Sequence, residues 1–306
     1  MNRNSRPSTP VKPSFILPLT DRGTYSELNV LALGMVYART MGTEFFVDDR
    51  GWAPSHRLGL AEFFDTTPAR WSGFSPHMTA FRHSFRSRSS TRVFNSLSQQ
   101  PTIPAANAFD EFMSAEFWRN TLGFSGDSMV NDWLFREKRL VFQNIYRFNA
   151  ATQERISSVL QAFDVTRPYC AIHIRRGDKI TTKEMQEINL AKYADAITKQ
   201  PLTNILVFSD DYSVFEELCE LLKTRDSERK LVNCIDNSSA GFSEKHYRKM
   251  HADDRVSAVT RMFAEMELMR NAQYLICTFS SNVSRFAALY VGLENCLSLD
   301  TGWHPY

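Results

Sequence analysis

The sequence predicts an α/β protein with a doubly wound parallel sheet, arranged as two successive units. Three observations carry that expectation. The chain has 306 residues, which suits two units of about 150 residues each. Its start reads strand, glycine-bearing loop, helix, strand, which is half of a parallel α/β unit. From Tyr169 onward short apolar runs alternate with helical patterns, so consecutive strands must cross over and pair in parallel. Hydrophobic residues make up 43% and charged residues 23%, a globular balance that excludes a mainly disordered chain.

The elements follow in order. Residues 1–14 are polar and proline-bearing and read as a flexible tail, and the first unit spans 15–165. Phe15–Leu19 is a short apolar strand, and Thr20–Ser26 is a loop with Asp21 and Gly23 as turn residues. Leu28–Ala38 is helical, and Glu44–Asp49 is a strand ending in acids. No acid occurs between Asp65 and Asp110, whereas Arg70, Arg82, Arg86, Arg88 and Arg92 do. The Ser/Arg-rich piece Arg82–Arg92 is either a solvated surface loop or a grip for a polyanion or acidic acceptor. Helical patterns then run over Glu111–Leu122, Asp132–Phe142 and Thr152–Phe163. The second unit spans 166–306. Its strands are Cys170–Ile174, Ile205–Ser209, Leu231–Ile235, Tyr274–Cys277 and Cys296–Leu299. Its helices are Lys192–Lys199, Ser213–Lys223, Asp253–Arg270 and Val283–Val291.

Lys and Arg number 36 against 34 Asp and Glu, so the net charge of +2 gives no reason to expect nucleic-acid or membrane-surface binding. No run of about 18 apolar residues spans a membrane, and Met1–Ser14 lacks the apolar core of a signal peptide. Cys170, Cys219, Cys234, Cys277 and Cys296 are odd in number and widely spaced, and read as free thiols. These features point to a cytoplasmic protein, although a secreted chain trimmed of its leader would look the same.

Four clusters carry chemistry. In Ala171–Lys179, Ile172 and Ile174 share one strand face and His173 and Arg175 the other. The strand ends in Arg175, Arg176, Gly177, Asp178 and Lys179, where such sheets bind ligands. A guanidinium there suits a phosphate, and an internal Arg–Asp network is the alternative. In Cys277–Arg285 a strand passes to a helix through Ser280, Ser281 and Asn282; the free N–H groups make an anion site, or a serine simply caps the helix. Glu265 lies in or beside the apolar stripe of Val259, Met262, Phe263, Met266 and Met269. Its carboxylate needs donors, either the N1–H and N2–H of a guanine edge or a salt bridge from the helix flank. Asp210 and Asp211 follow a strand end; helix capping and pairing with Arg176 are favoured over metal ligation, because no third ligand stands out.

His173-Ile174-Arg175-Arg176-Gly177-Asp178-Lys179, Phe208-Ser209-Asp210-Asp211 and Cys277-Thr278-Phe279-Ser280-Ser281-Asn282 together resemble the α1,6-fucosyltransferase family. Their order and separations fit from about residue 165 to 290, Gly23–Trp52 resembles the family's first strand–loop–helix–strand more loosely, and 60–150 has no match. The resemblance implies a GT-B-like glycosyltransferase with two Rossmann-like domains and a ligand cleft between them. Residues 15–165 would be the acceptor-side domain and 166–306 the nucleotide-sugar-binding domain. It implies inverting transfer of L-fucose from GDP-fucose to a glycan hydroxyl, α-linked, with no required cofactor and no obligatory metal.

Carried over by residue, Arg175 holds the β-phosphate, and Ser281, with Ser280 and Asn282, holds the diphosphate. Glu265 stands where the family's guanine-reading acid is usually Asp. His173 and Gly23 lie on the nucleotide side, and Arg176, Asp178, Lys179, Asp210 and Asp211 shape the site. Glu184 matches the family's proposed base if one residue is inserted, since Lys183 occupies the ungapped position. Glu184 is therefore the candidate base, Lys179 its relay and Asp178 the reserve. The family's coiled coil, SH3-like domain and first-loop cysteine pair have no counterpart here, which implies a minimal catalytic unit. The rival readings are the same fold with another nucleotide sugar or a protein acceptor, and a non-catalytic nucleotide-sugar or glycan binder. An RNA-binding role for Arg82–Arg92 has only Phe85 and Phe94 for stacking.

Overall fold

β1 (Ser14–Pro18) and β2 (Glu44–Asp48) pair in parallel across the helix α1 (Thr24–Met41), and β3 (Thr102–Ile103) joins the other edge of β1. This computed structural model describes residues 14–55, 58–66, 102–103, 105–226, 228–235, 241, 243–247 and 249–306. The tail 1–13 and the basic piece 82–92 lie outside them, and Ser14, expected in the tail, already opens β1. α1 starts four residues before the expected Leu28. Gly23 heads it, and the buried Glu27 side chain turns back to accept from Thr20 N at 2.6 Å and Thr20 Oγ1 at 3.0 Å. Gly42, at φ +66°, ends the helix in the left-handed conformation that glycine adopts without strain.

The helix expected over Glu111–Leu122 is two, α2 (Ala105–Phe112) and α3 (Ala115–Leu122). Ser114 is extended, and its side chain accepts the Phe117 N–H at 3.3 Å, so a cap interrupts the helical pattern. α4 (Asp127–Ile145) and α5 (Ala150–Leu160) follow, the latter capped by Asn149.

The second sheet holds β4 (Cys170–Ile174), β5 (Asn204–Ser209), β6 (Lys230–Asn233), β7 (Tyr274–Cys277) and β8 (Cys296–Ser298), all parallel, in the order β6-β5-β4-β7-β8. Between them run α6 (Asp178–Thr181), α7 (Leu190–Thr198), α8 (Ser213–Lys223), α9 (Glu244–Tyr247), α10 (Ala252–Arg270) and α11 (Asn282–Val291). The chain steps outward from β4 to β6 and then returns to β7 beside β4. The loops leaving β4 and β7 therefore diverge, and a crevice opens at the carboxyl ends of these two strands.

Strand alternation sorts the cores. Cys170, Ile172 and Ile174 pack with Tyr193, Ile197, Val214 and Leu218 of α7 and α8. Ala171 faces the opposite way, into a cluster that includes α10, α11 and the first sheet. Phe263 of α10 sits at its centre, with ring centroids 6.3 Å from Tyr25, 5.4 Å from Phe63 and Phe64, and 5.0 Å from Phe148. One apolar cluster thus lines both sheets. The five cysteines are free thiols; Cys170, Cys234 and Cys277 are buried, Cys219 and Cys296 half-buried. Among the described residues no helix is long and apolar enough to cross a membrane.

Candidate active site

The β4 end of the crevice is set by strand register. Ile174 pairs with Ser209, so the residues that follow, Arg175 and Asp210, meet level with each other. Arg175 Nη1 lies 2.8 Å from Asp210 Oδ2, and Asp210 Oδ1 accepts the Arg176 backbone N–H at 2.8 Å. The side-chain partner of Asp210 is therefore Arg175 and not the expected Arg176. Adjacent residues face opposite sides, and the Arg176 guanidinium instead donates to Ile188 O at 3.3 Å, with Glu187 at 3.5 Å. Asp211 accepts from Ser213 N at 3.0 Å and Ser213 Oγ at 2.8 Å at the start of α8; the cap position itself is Tyr212, which makes no side-chain capping bond, so the acid expected to cap the helix sits one residue ahead of it. Gly177 turns the chain at φ +63°, and Gly241 packs so close that a Cβ on it would stand 3.1 Å from Gly177 Cα.

His173 shares the face of Arg175. Its Nδ1 bonds Ser284 Oγ of α11 at 2.8 Å. Burial, and then the charge of Arg175, lower its pKa to about 3, so the ring is neutral.

The β7 end is a turn into α11. Ser281 heads the helix in extended conformation without spending its hydroxyl on a cap. Ser281 is buried, and the first N–H groups of α11 follow it, one strand over from the β4 end that carries Arg175. Ser280 is differently engaged: its N–H and Oγ both donate to Asp300, as does Phe279 N at 2.8 Å. Asn282 Oδ1 accepts from Arg285 Nη2 at 2.8 Å and from Asn29 Nδ2 of α1 at 3.2 Å, tying α1 to the helix start.

Lys179 and Glu184 lie on the loop after β4, 43% and 54% exposed, in an ion pair. Thr182 Oγ1 adds a hydrogen bond to Glu184 Oε1 at 3.0 Å. These two donors, Lys179 first, hold the Glu184 carboxyl below its ordinary value. Lys183 takes a left-handed φ of +61°, and Met185 N closes the loop on Lys179 O at 3.0 Å. The residue that breaks the ungapped match is thus the one that turns Glu184 back onto Lys179. Asp178 opens α6 at the head of the same loop.

Glu265 stands on the flank of the buried stripe of α10, 21% exposed, and accepts from Arg261 Nε at 3.0 Å. Arg261 is itself anchored on Cys234 O at 3.3 Å and lies over the Phe163 ring. Gly23 heads α1 at φ −57° with open space where a Cβ would go. Among the described residues no three His, Cys, Asp or Glu side chains gather to hold a metal ion.

Sequence reading missed Asp300, Ser284 and Asn29. Asp300, two residues after β8, could have been found as an acid at a strand's carboxyl end. Ser284 and Asn29 carry no sequence signal, since their bonds to His173 and Asn282 join residues more than 100 positions apart.

A family model for the α-(1,6)-fucosyltransferase N- and catalytic domains matches residues 139–291, half of the chain and all of the crevice motifs. The chain belongs to that family. It is accordingly a glycosyltransferase. Solved structures of fucosyltransferases share the α/β fold with parallel sheets. The NodZ α-1,6-fucosyltransferase soaked with GDP-fucose is 17% identical, with a TM-score of 0.51 over 93% of this chain and 97% of that one. POFUT1 in complex with GDP-fucose is 8% identical, with a TM-score of 0.53 over 97% and 99%. An Arabidopsis thaliana FUT1 mutant in complex with GDP is 12% identical, with a TM-score of 0.50 over 92% and 69%. At these identities the likeness is one of fold. No curated protein sequence matches the chain.

Proposed function

We propose that this α-(1,6)-fucosyltransferase family member moves L-fucose from GDP-fucose to a glycan hydroxyl, α-linked and with inversion, in a GT-B-like cleft between its two α/β units. The observation that carries the reading is that Arg175 and the α11 start at Ser281 follow the carboxyl ends of two adjacent parallel strands, β4 and β7. NodZ and POFUT1 structures carry GDP-fucose on the same fold. When the bond between the sugar carbon and the phosphate oxygen breaks, the leaving diphosphate gains negative charge. Arg175, aligned by Asp210, and the Ser281 hydroxyl with the α11 N–H groups meet that charge with fixed donors. This arrangement needs no metal to neutralise the diphosphate. Glu184, kept ionised by Lys179 and Thr182, takes the proton of the acceptor hydroxyl, and Lys179 orients it.

Glu265 accepts the guanine N1–H and N2–H in this reading. Its bond to Arg261 favours a second one, in which Glu265 is a structural ion pair and another nucleotide sugar is the donor. The test is a panel of nucleotide sugars scored for hydrolysis without acceptor, with calorimetry of GDP and UDP. Turnover of GDP-fucose above the other sugars is expected. Preference for a uridine donor would favour the second reading, and absence of any nucleotide binding would leave a glycan-binding protein.

A further inference from the structure

Five hydrogen bonds converge on one carboxylate that the reaction above does not use. Asp300 accepts from Phe279 N at 2.8 Å, Ser280 N at 3.2 Å, Ser280 Oγ, Ser298 Oγ at 2.8 Å and Thr301 N at 2.6 Å. Ser298 Oγ also accepts the Phe279 N–H at 3.2 Å, so β8 grips the turn from two sides. Burial raises the Asp300 pKa, and the donors outweigh that burial, so its carboxyl is held below the ordinary value. Phe279 and Ser280 precede the helix cap Ser281, so these bonds do not cap α11. They fix the turn that leads into it.

We propose that Asp300 is a positioning residue for the donor diphosphate: by holding the Phe279 and Ser280 N–H groups it aims Ser281 and the first turn of α11 at the β4–β7 crevice. The proposal rests on the reading of that crevice as a diphosphate site. The chemistry is specific to a carboxylate. Every group around it is a donor, and a carboxylate is acceptor-only. An asparagine of the same shape would turn its NH₂ toward other N–H groups. With the carboxylate gone, the Phe279 and Ser280 N–H groups lose the acceptor they share, and Ser281 loses its fixed direction.

The experiment measures GDP affinity by calorimetry, and KM and kcat for GDP-fucose hydrolysis, in the unmutated protein, Asp300→Ala, Asp300→Asn and Ser298→Ala, with far-UV CD confirming a folded state at the assay temperature. Asp300→Ala should weaken GDP binding about ten-fold or more and raise the donor KM in proportion. Asp300→Asn should do no better, although a role in packing alone would be rescued by that isostere. Ser298→Ala leaves the carboxylate in place and should give a smaller loss, about two- to five-fold, and it decides the matter if the Asp300 variants do not fold. Unmutated protein that binds GDP, beside variants that bind it equally well or more tightly, overturns the proposal; tighter binding would make Asp300 a plug that the donor displaces. Unmutated protein that fails to bind GDP overturns the donor assignment itself, and the proposal falls with it.

Discussion

Replacing Arg175 by alanine separates the chemical from the structural work of the crevice. The Arg175 and Asp210 side chains are 17% and 13% exposed and 2.8 Å apart. Removing a partner from a buried ion pair costs about 3–5 kcal/mol when the remaining charge is orphaned. Asp210 is not orphaned, because it keeps the Arg176 N–H at 2.8 Å, so a loss of about 1–2 kcal/mol in stability is expected. The chemical cost is larger. Loss of one preorganised donor to the leaving group is worth about 3–4 kcal/mol, or roughly 10²–10³ in kcat. The double variant Arg175→Ala with Asp210→Asn also removes the charge that lost its guanidinium, so it should regain part of that stability and no activity. The assay is GDP-fucose turnover with thermal melts in the same buffer. Turnover within a few-fold of the unmutated protein would take Arg175 out of the mechanism. Activity restored in the double variant would show that the loss came from a misplaced Asp210.

Lys179→Ala should move the acid limb of the pH–rate profile upward, because Lys179 holds the Glu184 carboxyl below its ordinary value and keeps it ionised to lower pH; an unmoved limb would remove Glu184 as the base. In the unmutated protein GDP should bind at least about ten-fold more tightly than UDP, and Glu265→Gln should erase most of that difference; equal affinities before mutation would sink the guanine assignment. The His173 ring should show no NMR titration between about pH 5 and 8, since its pKa lies near 3 against an ordinary 6.5. The sign for stability follows: below pH 6.5 the unfolded chain takes up a proton that the folded one refuses, so this group lowers stability as pH falls toward 3. A His173 titration near 6.5 would mean that the ring is open to water.

The sequence located the crevice because its signals are local. Strand alternation puts His173 and Arg175 on one face, and turn residues end β4 and β7. The partner of Asp210 was also within reach: it directly follows β5, so it must meet Arg175, the residue directly following β4, once the strands pair. Asp300 was harder, because only the parallel pairing of β7 with β8 brings it beside Ser280, twenty residues earlier. Buried basic side chains stayed hidden altogether. Lys138 of α4 is fully buried with Nζ on Pro305 O at 3.0 Å, and Arg285 of α11 holds His304 Nδ1 at 2.8 Å. Residue type argues against burying such groups, and only tertiary structure supplies the carbonyl and imidazole that they bond, while Arg285 Nε is left without a hydrogen-bond partner.

The aromatic cluster around Phe263 limits how this enzyme can be re-engineered. Changing acceptor choice in a transferase with two sheets invites chimeras, in which one parent's first sheet is grafted onto another's second. Here Phe263 of α10 meets Tyr25, Phe63, Phe64 and Phe148, so the graft boundary would cut through close-packed rings. A successful chimera would have to carry those rings across as a set, treating the seam between the sheets as inherited from a single parent.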